Sequence, residues 1–395
     1  MTQTSAQQMR AWQGAALFSF GFRPFFLFGT LWAGFAMGLW IAVITGGHVL
    51  PTRFDPVAWH AHEFLFGYLG AVLAGFLLTA MPNWTGRLPL VGRPLMALFG
   101  LWALGRIAVL FSAHLPQGVA VTLDLAFPVV LGAVILREIM AGKNWRNLLV
   151  LGLLALFTLA NALFHLEAAR GGAPAQGLGL RLGLATAVMM IAVIGGRIIP
   201  SFTRNWLARE GHPARPAPPM QKFDKLVLLA SLAGLLCWAL WPASPLSGLA
   251  LLGLGLLHLT RLARWQGHRT LREPLVWVLH AGYAMVPVGA LALGAAILTG
   301  GAWAAAAQHI WMAGAIGGMT LAVMTRATLG HTGQPLTAGP ATVVLYLALF
   351  GSVAARLGAG ITPWLTSLSA LLWLAAFLGY ALTYGPLLAF ARKEH

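Results

Sequence analysis

The residues with the most chemistry per position lie in Trp59-His60-Ala61-His62-Glu63. Two imidazoles and a carboxylate within four positions supply metal ligands and proton carriers. Asp55-Pro56 just ahead reads as an N-cap followed by proline at the first helical position. The motif therefore sits on a helix that opens near Pro56, not in a loop. On that helix His60 and His62 stand ~200° apart and face nearly opposite ways, whereas His60 and Glu63 share a face. One turn thus aims imidazoles in two directions with a carboxylate beneath His60. That suits two metal centres, or one centre plus a supporting group, better than simple chelation of one ion.

The elements that carry these residues are membrane spans. The 395-residue chain is 59% hydrophobic and 9% charged, with a mean hydropathy of +0.78, against about 25% charged residues in a soluble protein. Uninterrupted apolar runs of about 20 residues define an all-α membrane protein and exclude a porin-type barrel. Twelve spans are expected, near 25–46, 60–81, 94–114, 117–140, 146–166, 178–200, 225–241, 245–263, 274–299, 302–325, 340–358 and 363–390. The count can be tested by charge. Of the 25 Lys and Arg residues, Arg53, Arg170, Arg181 and Arg356 fall on one side, and Arg106 and Arg197 lie within spans. The other 19, among them Arg10, Arg392 and Lys393, fall on the opposite side. Such a bias places both termini in the cytoplasm. The net charge of +16 is therefore loop charge facing the inner membrane surface and gives no reason to expect nucleic acid. The chain reads as a single polytopic domain: six spans over about 25–200, a Pro- and Arg-rich cytoplasmic linker over about 201–224, and six spans over about 225–390. No convincing repeat relates the two halves. The single Cys237 excludes a disulfide framework and a cysteine-ligated cluster, so metal ligation falls to His, Met and carboxylates. No cleavable signal peptide is visible.

This topology sorts the histidines by depth. His48, His60, His62, His114, His165 and His309 fall toward the outer face. His212, His258, His268, His280, His331 and His395 fall toward the inner one. His309 lies seven residues into the tenth span, ~10 Å along it, so His60, His62 and His309 can meet at one depth if spans two and ten are neighbours. Met312 follows, and Gly314, Gly317 and Gly318 leave room below for a porphyrin with imidazole axial ligands, with copper on the remaining imidazoles. His258 and His280 flank a cytoplasmic hairpin loop at matching depth and suit a second haem, with His331 in the next inner loop. Arg261, Arg264, Arg269 and Arg272 nearby match haem propionates. Arg23, at the mouth of the first span, reads either as an interface anchor or as the partner of an anionic cofactor group. Glu63 and Asp124 are candidate proton carriers within the membrane.

Several stretches together resemble the NnrS family. They are Phe22-Arg23-Pro24-Phe25-Phe26, the His60-Ala61-His62-Glu63 motif, Gly75-Phe76-Leu77-Leu78-Thr79-Ala80, Pro82-Asn83-Trp84-Thr85-Gly86-Arg87, Pro200-Ser201-Phe202-Thr203-Arg204-Asn205-Trp206, Leu279-His280-Ala281-Gly282-Tyr283, and Gly317 through Arg326 on to Gly330-His331-Thr332-Gly333. The likeness runs over nearly the whole chain. It departs from the family pattern at Phe64, where a Met is frequent, so no thioether ligand is offered there, and at Gln334, where a basic residue is frequent. The resemblance implies a bacterial inner-membrane protein with haem, b-type first among the choices, and copper, tied to nitric oxide metabolism and nitrosative stress during denitrification. The expectation is a protein that binds nitric oxide or another small nitrogen oxide. Reduction by electrons from quinol or a periplasmic donor would extend that role to a membrane oxidoreductase. Two rival readings stand beside it: a twelve-span secondary transporter, whose six-plus-six plan is similar, and a haem/copper sensor or assembly factor without turnover.

Overall fold

The structure, a computed structural model, describes residues 12–87 and 89–390. Arg10, Arg392, Lys393 and His395, used above in reading topology, lie outside the described residues. Among the described residues, twelve helices are long and apolar enough to cross a membrane: α1 (Phe22–Gly46), α2 (Pro56–Thr85), α3 (Arg93–Leu110), α4 (Gly118–Ala141), α5 (Trp145–Ala169), α6 (Leu178–Arg209), α7 (Lys222–Leu240), α8 (Pro245–Ala263), α9 (Pro274–Leu298), α10 (Ala304–His331), α11 (Pro340–Gly358) and α12 (Leu365–Ala389). The expected all-α architecture and span count are what the chain adopts. A bilayer core of ~30 Å needs about 20 residues of helix, and these supply 18 to 32.

Helix starts follow the local sequence. Pro56, Pro245, Pro274 and Pro340 open α2, α8, α9 and α11, where a missing N–H costs nothing. Asp55, Ser244 and Glu273 cap the first three with side-chain oxygens. The sixth span runs further than expected: α6 continues through Pro200 to Arg209, so the first part of the anticipated linker is helix.

Three helices differ from the rest. Over the apolar 18-residue stretch of each helix, α2 is 83% buried, α6 78% and α10 72%, while the other nine are at most 50% buried. Each of the three is interrupted by a π-helical stretch, at Glu63–Tyr68, Ile191–Gly195 and Ile310–Gly317. Such stretches concentrate at functional sites. These helices recur every fourth span. Their later halves correspond as well: Met81-Pro82-Asn83-Trp84-Thr85 in α2 matches Ile199-Pro200-Ser201-Phe202-Thr203 in α6. Thr85 and Thr203 both donate back to the carbonyl four residues earlier, at 2.9 and 2.8 Å. High burial and a π-helical stretch thus recur at every fourth span, in α2, α6 and α10.

The described residues divide into two compact units. One holds the described residues up to 183, 327–334 and 377–390; the other holds 184–326 and 335–376. In the first, α1 packs on α2, and α3, α4 and α5 pack in succession. In the second, α7, α8 and α9 form consecutive antiparallel contacts, and α9 packs against the π-helical part of α10.

Candidate metal centre

In the first unit the cap at Asp55 sets the start of α2. The Asp55 carboxylate accepts from the N–H groups of Val57 and Ala58 at 3.0 Å, and the helix reaches His62 after two turns. There the π-helical stretch begins, and it buries His62 and Glu63 completely. Arg106 from α3 donates through Nη1 to both oxygens of Glu63, at 2.7 and 2.8 Å, and through Nη2 to Asp124 of α4. From α1, Trp32 donates its indole N–H to Glu63 at 2.7 Å. From α5, Asn161 donates to Asp124 at 2.8 Å, and His165 Nε2 lies 2.9 Å from the same Asp124 oxygen. His62 joins the two carboxylates: its Nδ1 is 2.9 Å from Glu63 Oε1, and its Nε2 is 3.0 Å from Asn161 Oδ1 and 3.2 Å from Asp124 Oδ2. Five helices thus meet through seven polar side chains.

Glycine makes the close approach of Arg106 possible. A Cβ at Gly67 would lie 2.6 Å from Arg106 Nη1 and 2.8 Å from Glu63 Oε2. Trp102 of α3 fixes the same turn by donating to the Gly67 carbonyl at 3.0 Å.

The grouping corrects the view of Glu63 as lying beneath His60. Arg106 and Trp32 hold both Glu63 oxygens on the buried side, and the carboxylate turns to His62 instead. As expected, the two imidazoles face apart: His60 is half-buried and stacks on Trp40, with ring centroids 4.4 Å apart, and packs on Phe64 at 4.7 Å. Trp32, Asn161 and the place of His165 beside Asp124 were not singled out from sequence, and Arg106 was noted only as a charge within a span. The signal lay in cost. A charged residue at mid-helix costs about 2.5–3.5 kcal/mol in a membrane, so Glu63, Arg106 and Asp124 have to find one another.

The cluster suits a cation. Both His62 nitrogens face acceptors, Glu63 Oε1 at 2.9 Å and Asn161 Oδ1 at 3.0 Å, so His62 carries both protons while those bonds stand, and a metal ion would take the place of the Nε2 proton. His62, Asp124 and His165 each present a ligand atom, all within 4.8 Å of one another and all buried. Two imidazole nitrogens and a carboxylate oxygen are a donor set for copper, zinc or iron. A cavity of about 310 Å³, lined by His165, Arg53, Phe54, Val109, Ser112, Val121 and Ala168 among others, gives access to the cluster.

The remaining candidates are placed as follows. His309, in the second unit, donates its Nδ1–H to the Ala305 carbonyl at 2.7 Å. This fixes Nε2 as the lone-pair nitrogen, the arrangement common to metal-ligating imidazoles. The space expected beside it is filled, because Cβ atoms at Gly314, Gly317 and Gly318 would meet Met285, Trp373 and Phe350. These glycines serve helix packing. His258 is fully buried, with Nε2 2.8 Å from Ser231 Oγ and Nδ1 2.8 Å from the Tyr283 hydroxyl. Ser231 gives its proton to the Val227 carbonyl, so it accepts from His258 Nε2–H, and the Nδ1 lone pair takes the Tyr283 proton. His258 therefore presents no lone pair to an ion while those bonds stand. Arg261 is likewise engaged, with Asp224 at 2.7 Å and Tyr283 at 2.9 Å. Arg264 is engaged with Gln221. His280 bonds Thr203. His331 is exposed, with its ring against Phe20 and Phe22. Arg23 donates to the carbonyls of Leu387, Leu388 and Phe390 at 3.1 to 3.2 Å. It thereby caps the end of α12, which has no intrahelical donors left.

A twelve-helix fold with a buried carboxylate–histidine–arginine cluster defines a polytopic membrane protein built around an intramembrane polar centre. The chain belongs to the NnrS family: the model for that family, described as NnrS protein, matches residues 16–392. Family membership suggests a haem/copper membrane protein linked to nitric oxide metabolism. No curated protein matches the chain.

Proposed function

We propose that this protein is a haem- and copper-bearing protein of the bacterial cytoplasmic membrane that binds nitric oxide and, given electrons, reduces it. Copper would be held by His62, His165 and Asp124. The observation that carries this reading is the buried cluster itself: three ligand-bearing side chains within 4.8 Å and a cavity leading to one of the imidazoles. His309 would offer haem an axial nitrogen, its Nδ1–H being held by the Ala305 carbonyl, while the glycine face beside it is packed and holds no porphyrin. His60 is the second candidate.

When bound, the haem supplies ferrous affinity for nitric oxide and the copper a second redox-active centre. The chain's own residues do the rest. Arg106 and Trp32 hold Glu63 so that its carboxylate stays fixed against His62, and Glu63 orients that imidazole as outer-shell carboxylates do. Arg106 and Asn161 hold Asp124 with its Oδ2 between the two imidazoles. The apolar part of the cavity wall beside His165, Phe54, Val109, Val121 and Ala168, favours a small uncharged gas over ions. Quinol or a periplasmic protein would be the electron source.

The test is an optical spectrum of the purified protein, oxidised and reduced, with metal analysis and anaerobic nitric oxide consumption on the same sample. The proposal expects a Soret band that shifts on adding nitric oxide, about one copper per chain, and consumption that requires reductant. Haem and copper without consumption would favour the sensor or assembly reading. Folded protein, expressed with ample haem and copper yet carrying neither, would overturn the proposal in favour of transport.

A further inference from the structure

Gly70 of α2, one turn beyond Gly67, is a glycine that close packing does not demand. A Cβ at Gly67 would collide with Arg106 and Glu63, whereas one at Gly70 would meet only Phe127 Cε1, at an ordinary contact distance of 3.8 Å. Glycine inside a helix costs about 1 kcal/mol against alanine. At Gly70 the missing side chain leaves space instead of permitting an approach.

That space is a cavity of about 10 Å³, room for one small molecule. Phe66, Phe127, Leu154 and Phe157 wall it, and the buried Asp124 and Asn161 of the metal cluster close its deep end. The polar groups are already bonded among themselves. Asn161 donates to Asp124 at 2.8 Å, and Thr158, also in the wall, gives its hydroxyl proton to the Leu154 carbonyl at 2.9 Å. A trapped water needs roughly two to four polar partners, and most of the surface here is aromatic or aliphatic. A small molecule with no hydrogen bonds to satisfy fits it better.

The cavity lies between α4 and α5 and opens toward lipid. Its mouth holds Pro128 and Thr158, both half-buried. Their neighbours in the chain, Val129 and Leu159, are 56% and 51% exposed, which on spanning helices places them against acyl chains. Pro128 lies inside α4. It has no N–H for the Asp124 carbonyl four residues earlier, and its ring crowds that turn, so the helix wall is loosened beside the cluster. No residue is shared with the lining of the larger cavity beside His165.

We propose that this cavity is a docking site for a small uncharged gas, entered from the bilayer between α4 and α5 and ending against Asp124. The site rests on the reading above for the gas it serves. Nitric oxide is apolar enough to concentrate in hydrocarbon, and this route brings it to the metal centre without crossing the aqueous side.

The experiment has two arms. In the first, crystals of the full-length protein as purified are pressurised with xenon, an uncharged apolar probe located by its anomalous scattering. A xenon peak is expected among Gly70, Leu154 and Phe157. Gly70→Val, which fills the void, should remove the peak, and Leu154→Ala, which enlarges it, should raise occupancy. Gly70→Ala adds only the Cβ and should lower occupancy; it guards against a folding failure in Gly70→Val. In the second arm, the copper-loaded protein in nanodiscs is mixed with nitric oxide and freeze-quenched. Loss of the Cu(II) signal should be about tenfold slower in Gly70→Val, a barrier rise of ~1.4 kcal/mol, at the copper content of the parent. A water peak with no xenon, xenon only on lipid-facing side chains, xenon retained in folded Gly70→Val, or an unchanged rate in that variant would overturn the site. Absence of copper and haem from a protein that still takes up xenon here would instead sink the nitric oxide reading and leave the gas site standing.

Discussion

Arg106 is the residue on which the buried cluster depends, because its guanidinium contacts both carboxylates. Arg106→Ala would leave Glu63 and Asp124 without the guanidinium that both contact. Breaking a buried pair from one side costs about 3–5 kcal/mol. The expected result is a large loss of folded protein in a detergent thermal-unfolding assay. The triple change Arg106→Ala, Glu63→Gln and Asp124→Asn removes the charges together and should recover a substantial part of that loss. If the single and triple variants unfold at the same temperature, the cluster is not held by charge pairing. Gly67→Ala tests the same contact sterically. Its Cβ would fall within 2.8 Å of Arg106 and Glu63 atoms, and overpacking of this kind costs about 1–3 kcal/mol. A clear drop in unfolding temperature is expected, and an unchanged midpoint would show that Arg106 can move aside freely.

At the scale of the helix, the spans and the start of α2 were legible because they rest on local rules: apolar length, a capping Asp and proline at the first position. Asp55→Ala should cost about 1 kcal/mol and, by fraying the turn before His60, reduce metal occupancy more than the Ser244→Ala change, which removes a comparable cap on α8. Equal occupancies in the two variants would show that the cap does not position the site. The arrangement around Glu63 was not legible, because ideal helix angles put it under His60. Its direction is fixed by Arg106 and Trp32, which lie on other helices, and by a π-helical stretch with no marker in the residues themselves. The four-span recurrence was hidden for a related reason. It is carried by burial, by π-helical stretches and by a Pro-x-x-Thr pattern in α2 and α6, while most apolar positions vary freely against lipid. His165 and Asn161, four apart on α5, could have been found by asking which polar groups Asp124 must meet once it is placed inside the membrane.

For the whole molecule, the distribution of Lys and Arg predicts that both termini and the connection around Gly211–Pro219 face the cytoplasm. Reporter fusions at those three places should all report the cytoplasmic side. A periplasmic signal from any of them would invert the assignment of the cavity beside His165 to the outer half. The fold class and span number followed from composition and hydropathy, since a bilayer leaves the backbone little choice but helices. The site did not follow to the same degree, because three-dimensional packing decides which intramembrane histidine meets which carboxylate. The depth argument grouped His60, His62 and His309, while the first unit alone gathers His62 with Asp124 and His165.

The central claim is that this cluster is a metal centre, and electron paramagnetic resonance of the copper-loaded protein tests it most directly. The account predicts a Cu(II) signal with nitrogen coupling from two imidazoles, reduced to one by His165→Ala and lost on His62→Ala/His165→Ala, with the variants still folded. A copper signal identical in the parent and the double variant, or no bound copper in a folded parent protein offered the metal, would contradict it.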